Sequence, residues 1–233
     1  MLEVKDLYVG YYKDLNILQG VSITAHEAKI TTVLGANGVG KSTLLKAVYG
    51  FLAPNSGEVL LEGQSILGIP THKRIDKGIS YIPQQPGIFR WMTVEENLEL
   101  GGWTFRNDKD RIQRKLEENY QRFPVLKERR KSKAGELSGG MQRMVEVGRT
   151  LMTDPKVILV DEPTAGLAKL LSEEVYNMLV QLRDQEEMTI VLVDQEIRQA
   201  LKIADYVYVL ELGRNRFEGP VEEFTDLKKA FWV

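Results

Sequence analysis

Apolar and polar positions along the chain follow two rhythms. Residues 2–9 alternate with the period of a half-buried strand, and residues 17–24 and 29–34 supply two more strands. A turn at Pro54-Asn-Ser-Gly57 precedes a short strand over 58–62, and residues 79–82 are extended up to Pro83. Residues 157–160 and 189–193 are almost continuously apolar, as expected of central parallel strands buried on both faces. Residues 206–210 alternate again before a turn at Gly213. Helical spacing lies between these strands. One helix begins at Lys41 and is closed by Gly50 in C-cap position, and the capping box Thr93-Val-Glu-Glu96 opens another. Ile112, Leu116 and Tyr120 recur every four residues until Pro124 ends the segment. Met141, Met144, Val145, Gly148 and Leu151 share a helix face behind Ser138, and Val175, Met178, Leu179 and Leu182 share one over 170–183. The alternation predicts an α/β fold with a parallel sheet, interrupted by helices from about 88 to 154, in one domain spanning 1–233.

Composition narrows the function classes. The chain has 233 residues, 27% charged and 43% hydrophobic, enough for one large globular core. Its net charge of −2 gives no bulk attraction to nucleic acid, and the basic run 127–133 reads as a solvated loop or helix end. The absence of cysteine excludes a disulfide and a thiolate zinc site, and His26 and His72 are too few and too far apart for a metal cluster. Residues 1–10 read as a strand rather than a signal peptide. The apolar runs fall far short of the ~20 residues a spanning helix needs, so any membrane role is expected to be peripheral.

The candidate chemistry begins at Gly35-Ala-Asn-Gly-Val-Gly-Lys-Ser42, which fits G-x-x-x-x-G-K-[ST] between a β-branched strand and a helix. Glycines let successive N–H groups converge on one anion, and the helix N-terminus adds partial positive charge. Lys41 is expected to reach the β- and γ-phosphates as a point charge, and the Ser42 hydroxyl to serve as a hard oxygen ligand for Mg²⁺. Asp161 and Glu162 end the apolar strand 157–160, where open α/β sheets bind ligands. Asp161 suits an outer-sphere Mg²⁺ role and Glu162 a water-activating base. Ser138-Gly139-Gly140 is a second possible anion site: an N-cap serine followed by two N–H groups unobstructed by side chains. Tyr11 and Tyr12, upstream of the loop, either stack on a base or pack in a turn.

These motifs, with Gln84 and Leu137–Gln142 in this order, resemble the ATP-binding subunit of an ABC transporter over essentially the whole chain. The resemblance implies a P-loop NTPase core with an N-terminal antiparallel β subdomain and an inserted helical subdomain at about 88–154. It implies ATP and Mg²⁺ as cofactors, with Gly35, Ala36, Asn37, Gly38, Val39, Gly40, Lys41, Ser42 and Thr43 around the phosphates and Tyr12 on adenine. Gln84 would touch Mg²⁺ and sense the membrane partner, and Ser138, Gly139 and Gly140 would hold the γ-phosphate bound by a second cassette. Implied partners are transmembrane permease subunits, a second and non-identical ATPase subunit and, indirectly, a substrate-binding protein; nucleic acid is not among them. The implied location is peripheral, on the cytoplasmic face of the cell membrane.

Met92–Gly102, Gly166-Leu-Ala, Val193-Asp-Gln-Glu and Ala200–Asp205 are more narrowly similar to the second ATP-binding subunit of branched-chain amino acid importers. Urea- and amide-type importers are an alternative, as is a soluble ABC ATPase acting on nucleic acid or ribosomes, which would carry a long coiled coil or two cassettes; lipid exporters carry a histidine where this chain has Gln195. Ala168 stands where the wider family has Asp, and Met141 where it has Gln. Gln195 is expected to position the γ-phosphate or the attacking water, or else to cap the following helix. The loop Pro86–Trp91 is the candidate membrane-subunit contact, or else a satellite hydrophobic cluster.

Overall fold

A computed structural model describes residues 1–12 and 15–224. The chain runs through β1 (Leu2–Val9), β2 (Leu18–Ala25), β3 (Ile30–Leu34), α1 (Lys41–Tyr49), β4 (Ser56–Leu61), β5 (Gln64–Ser65), α2 (Thr71–Arg74) and β6 (Ile79–Ile82). Four helices follow: α3 (Val94–Gly101), α4 (Lys109–Arg122), α5 (Pro124–Glu128) and α6 (Gly139–Leu151). Strand–helix alternation then resumes with β7 (Val157–Asp161), α7 (Lys169–Glu186), β8 (Thr189–Val193), α8 (Ile197–Ile203), β9 (Tyr206–Glu211) and β10 (Arg214–Pro220).

Two sheets result. One is antiparallel, in the order β2-β1-β4-β5. The other has the order β10-β9-β3-β8-β7-β6 and is parallel from β9 to β6, with β10 as an antiparallel edge. Every residue of β3, β7 and β8 is buried, as their apolar runs require. Leu44, Leu45, Ala47 and Val48 of α1 join residues of both sheets in one core cluster. The other face of the parallel sheet forms a second cluster with the inserted helices and α7. The phosphate loop between β3 and α1 is therefore anchored in packed structure at both ends.

Three local expectations are corrected. Pro124 does not merely end a helix: α4 stops at Arg122, and Pro124 opens α5 at its first position, where a missing N–H costs nothing. The strand over 58–62 starts earlier, at Ser56. Beyond Gly213 the chain forms β10, a polar edge strand whose sequence shows no apolar face but whose backbone pairs with β9.

Candidate functional site

The phosphate loop is shaped by close approaches that exclude side chains. At Gly40, with φ +107°, a Cβ would sit 2.4 Å from Leu18 Cδ2, and at Gly35 one would sit 2.5 Å from the Leu210 carbonyl oxygen. Gly40 caps α1 without any side-chain hydrogen bond, so the first N–H groups of the helix are left for an external acceptor. Asn37, Gly38, Lys41, Ser42 and Thr43 line a cavity of about 440 Å³. Val39 packs instead against the core between the sheets. Lys41 is buried, and its Nζ donates to the carbonyls of Gly35 (2.9 Å) and Ala36 (3.1 Å).

β7 ends at Asp161, which meets Ser42 behind the cavity, and the next residue, Glu162, lines the cavity itself. Ser42 Oγ donates to Asp161 Oδ1 at 2.8 Å, which spends the only hydroxyl hydrogen and leaves the serine lone pairs for a cation. With Asp161 behind it, this oxygen-donor set fits a hard divalent ion beside a phosphate. Glu162 has φ +44°, an unusual conformation for a residue with a side chain, and its N–H donates to the Val193 carbonyl at 2.8 Å. Its Oε2 accepts from Gln84 Nε2 at 2.7 Å, and its Oε1 lies 3.9 Å from Lys41 Nζ. Burial pushes the Glu162 carboxyl up; Lys41 opposes this, while Asp161 and Asp194 reinforce it. A raised carboxylate in reach of a phosphate cradle can accept a proton from water.

Helix α6 fixes the loop that carries Gln84. Arg143 donates to the carbonyls of Pro83 and Gln84, both at 2.7 Å, and to Glu146 Oε2. Glu146 Oε1 accepts from the Gly87 N–H at 2.6 Å, and Arg149 Nη1 donates to the Gly87 carbonyl at 2.7 Å. Arg143 and Glu146 are both almost wholly buried. At the start of the same helix, Ser138 is exposed and its Oγ accepts from the Met141 N–H at 3.3 Å. Gly139 sits against Leu167, and Gly140 against Leu171 and Glu174. Ser138, Gly139 and Gly140 do not line the phosphate-loop cavity of their own chain.

Gln195 lines both this cavity and a neighbouring crevice of about 380 Å³ formed with residues 164–167. It is not the cap of α8: that position belongs to Glu196, which makes no side-chain cap bond. The turn is held by buried Asp194, whose Oδ1 accepts from the Gln195 N–H (2.8 Å) and the Glu196 N–H (2.9 Å). Its Oδ2 accepts from the Tyr176 hydroxyl at 2.9 Å. The capping alternative for Gln195 is thereby overturned.

Tyr12 is 75% exposed and bridges to Leu15, whereas Tyr11 lines the cavity with Ile17. Ile88 packs against the core while Phe89 and Trp91 remain exposed, so the loop at 86–91 is only partly a satellite cluster. Sequence reasoning missed Tyr81, which donates to Asp161 Oδ2 at 2.8 Å, and the clamp of Arg143, Glu146 and Arg149. A larger crevice, about 560 Å³, lies between β4 and Arg111, where Lys156 pairs with Glu62 and Arg111 faces Asp154; no phosphate-loop residue reaches it.

The family model described as ABC transporter matches residues 18–165. The high-affinity branched-chain amino acid transport ATP-binding protein BraG of Pseudomonas aeruginosa is 43% identical over 88% of this chain and 86% of its own length. The probable branched-chain amino acid transport ATP-binding protein LivF of Archaeoglobus fulgidus is 39% identical over 98% and 96%. Among solved structures, a nucleotide-free ATP-binding cassette from an ABC transporter superposes with a TM-score of 0.87 at 30% identity, covering 98% of this chain and 95% of that one. Another ABC transporter cassette, in its ADP conformation, gives a TM-score of 0.86 at 31% identity, covering 100% and 95%. The motif order, the geometry of the phosphate loop and these matches together establish that the chain belongs to the ABC transporter family, as one of its ATP-binding cassettes.

Proposed function

We propose that this chain is the ATP-hydrolysing subunit of an importer for branched-chain amino acids. The carrying observation is the convergence of Lys41, Ser42, Gln84 and Glu162 on one cavity, with Asp161 bonded to Ser42 behind it, in a chain 43% identical to BraG. Residues 35–43 would wrap the phosphates, and Ser42, Gln84 and Asp161 would hold Mg²⁺, which would neutralise charge on the phosphate oxygens. Glu162 takes a proton from the attacking water, and Gln195 positions that water or the γ-phosphate. Tyr11 or Tyr12 receives the adenine ring, with Tyr11 on the cavity wall.

Each cavity holds one half of a site. The exposed Ser138 helix start lies outside the chain's own cavity, so Ser138, Gly139 and Gly140 are read as serving the γ-phosphate of a second cassette. That cassette is proposed to be non-identical. BraG and BraF of Pseudomonas aeruginosa are both named for high-affinity branched-chain amino acid transport, and this chain is 43% identical to BraG but 28% to BraF. No helix among the described residues is long and apolar enough to cross a membrane, which fits peripheral attachment to permease subunits on the cytoplasmic face. Exposed Phe89 and Trp91 are the proposed contact. Lipopolysaccharide export ATP-binding proteins are 32% identical, below BraG at 43% and LivF at 39%.

The test is co-purification of this chain with permease subunits and a second cassette, followed by reconstitution in vesicles with a binding protein. ATP-dependent uptake of a branched-chain amino acid is expected. Uptake of urea or an amide instead would reassign the cargo, and absence of any assembly would reject the transporter role.

A further inference from the structure

Asp161 is held from two sides, and only one is accounted for by the motifs. Its Oδ1 accepts from Ser42, the first-turn residue of α1, and its Oδ2 accepts from the Tyr81 hydroxyl at 2.8 Å. Asp161 is almost wholly buried, and Tyr81 is half-buried on β6, beside β7 in the parallel sheet. The Tyr81 ring is steadied in turn: it stacks on Tyr49, the last residue of α1, with centroids 5.5 Å apart and planes at 28°. Phe51, half-exposed just beyond α1, meets its edge at 5.4 Å. Helix α1 is thus tied to Asp161 at both ends, directly through Ser42 and indirectly through Tyr49 and Tyr81.

We infer that Tyr81 is a positioning residue for the metal site, fixing the Asp161 carboxylate so that Oδ1 faces Ser42 and the cation. A carboxylate with one free oxygen rotates about its Cβ–Cγ bond; a donor on Oδ2 removes that freedom and draws charge away from the oxygen turned from the metal. A carboxylate oxygen can only accept, so in this pair the Tyr81 hydroxyl is the donor. Because the ring is packed against Tyr49 and Phe51 at the end of α1, the hydroxyl is pre-placed rather than recruited on binding. The inference rests on the proposal that Ser42 and Asp161 hold the divalent ion of a bound nucleotide.

The experiment is an electron paramagnetic resonance titration of Mn²⁺ into the chain–ATP complex, with chain in excess so that all nucleotide is bound. Tyr81→Phe, which removes the hydroxyl and keeps the ring, is expected to weaken Mn²⁺ affinity by roughly 3- to 20-fold. Metal-free ATP affinity should stay unchanged, while the melting temperature falls by a few degrees because a buried carboxylate oxygen loses its donor. Unchanged Mn²⁺ affinity, or metal-free and metal-bound affinities falling together, would overturn the inference. A wild-type complex that binds Mn²⁺ no better than free ATP would instead reject the underlying metal-site assignment. Tyr49→Leu leaves the hydroxyl and removes the stacking ring. A smaller loss of Mn²⁺ affinity is expected from it, and no loss there would contradict the proposed support even if Tyr81→Phe did not fold.

Discussion

Gln84 Nε2 donates to Glu162 Oε2 across 2.7 Å, joining side chains 78 residues apart in sequence. The pairing ties the carboxylate proposed to activate water to a loop that α6 holds through Arg143, Glu146 and Arg149. A displacement of that loop by a docked partner would withdraw the amide from Glu162 and change the carboxylate's freedom to meet water.

Replacing Glu162 by Gln removes the base while keeping shape and hydrogen-bonding capacity. Single-turnover hydrolysis should fall by about 10²–10⁴-fold, the usual contribution of a general base, while ATP binding persists. Hydrolysis within a few-fold of wild type would assign the base elsewhere.

The Glu162 carboxyl is pushed up chiefly by burial, so it stays protonated to higher pH than an exposed glutamate. The acidic limb of the wild-type pH–rate profile should therefore lie above the ordinary carboxylate range of about 4.3, and be missing from the residual activity of Glu162→Gln. The same shift predicts a stability difference with a definite sign. A raised folded-state value favours the fold while the group is protonated, and that advantage is lost as pH rises through the raised value. Glu162→Gln should accordingly melt higher than wild type at pH 7, with the gain shrinking as the pH approaches 4. Melting curves at both pH values check it.

Gln195 presents a neutral amide to the cavity while Asp194 holds the backbone turn. Gln195→Ala should lower ATP turnover in the assembled transporter with a melting temperature within about 2 °C of wild type. Asp194→Ala should destabilise the fold, because it strips acceptors from two N–H groups and the Tyr176 hydroxyl. Calorimetry and single-turnover hydrolysis on both variants separate the two roles.

Residues whose chemistry depends on local spacing were legible in the sequence. The loop at 35–42, Ser138 as N-cap, and the carboxylates closing a buried strand all follow from motif and period. Contacts between remote segments were not. Tyr81 reads only as an aromatic residue in a strand, yet β6 lies beside β7 and brings it to Asp161. Arg143 and Glu146 belong to a helix whose apolar stripe was visible, but charged residues are ordinarily assigned to the solvated face. Their burial becomes apparent only once the 83–87 backbone is seen to need their hydrogen bonds. Tyr11 and Tyr12 are adjacent, and no periodicity distinguishes which one faces the cavity.

Arg143 and Glu146 form a buried pair, so removing Arg143 leaves Glu146 without its hydrogen-bonded cation and with only Arg149 nearby. Arg143→Met should cost about 3–5 kcal/mol in urea unfolding, and the double variant Arg143→Met with Glu146→Gln should recover part of that loss. A single-variant cost below about 1 kcal/mol would show that the clamp contributes little.

Hydrolysis at Glu162 is proposed to drive transport. The most direct measurement is uptake of labelled leucine into proteoliposomes holding the complete transporter, with wild-type chain or Glu162→Gln and with ATP inside. Wild-type vesicles should accumulate leucine while consuming ATP, and the variant should bind ATP but abolish both. Leucine uptake undiminished in the Glu162→Gln vesicles would show that transport does not depend on hydrolysis at Glu162.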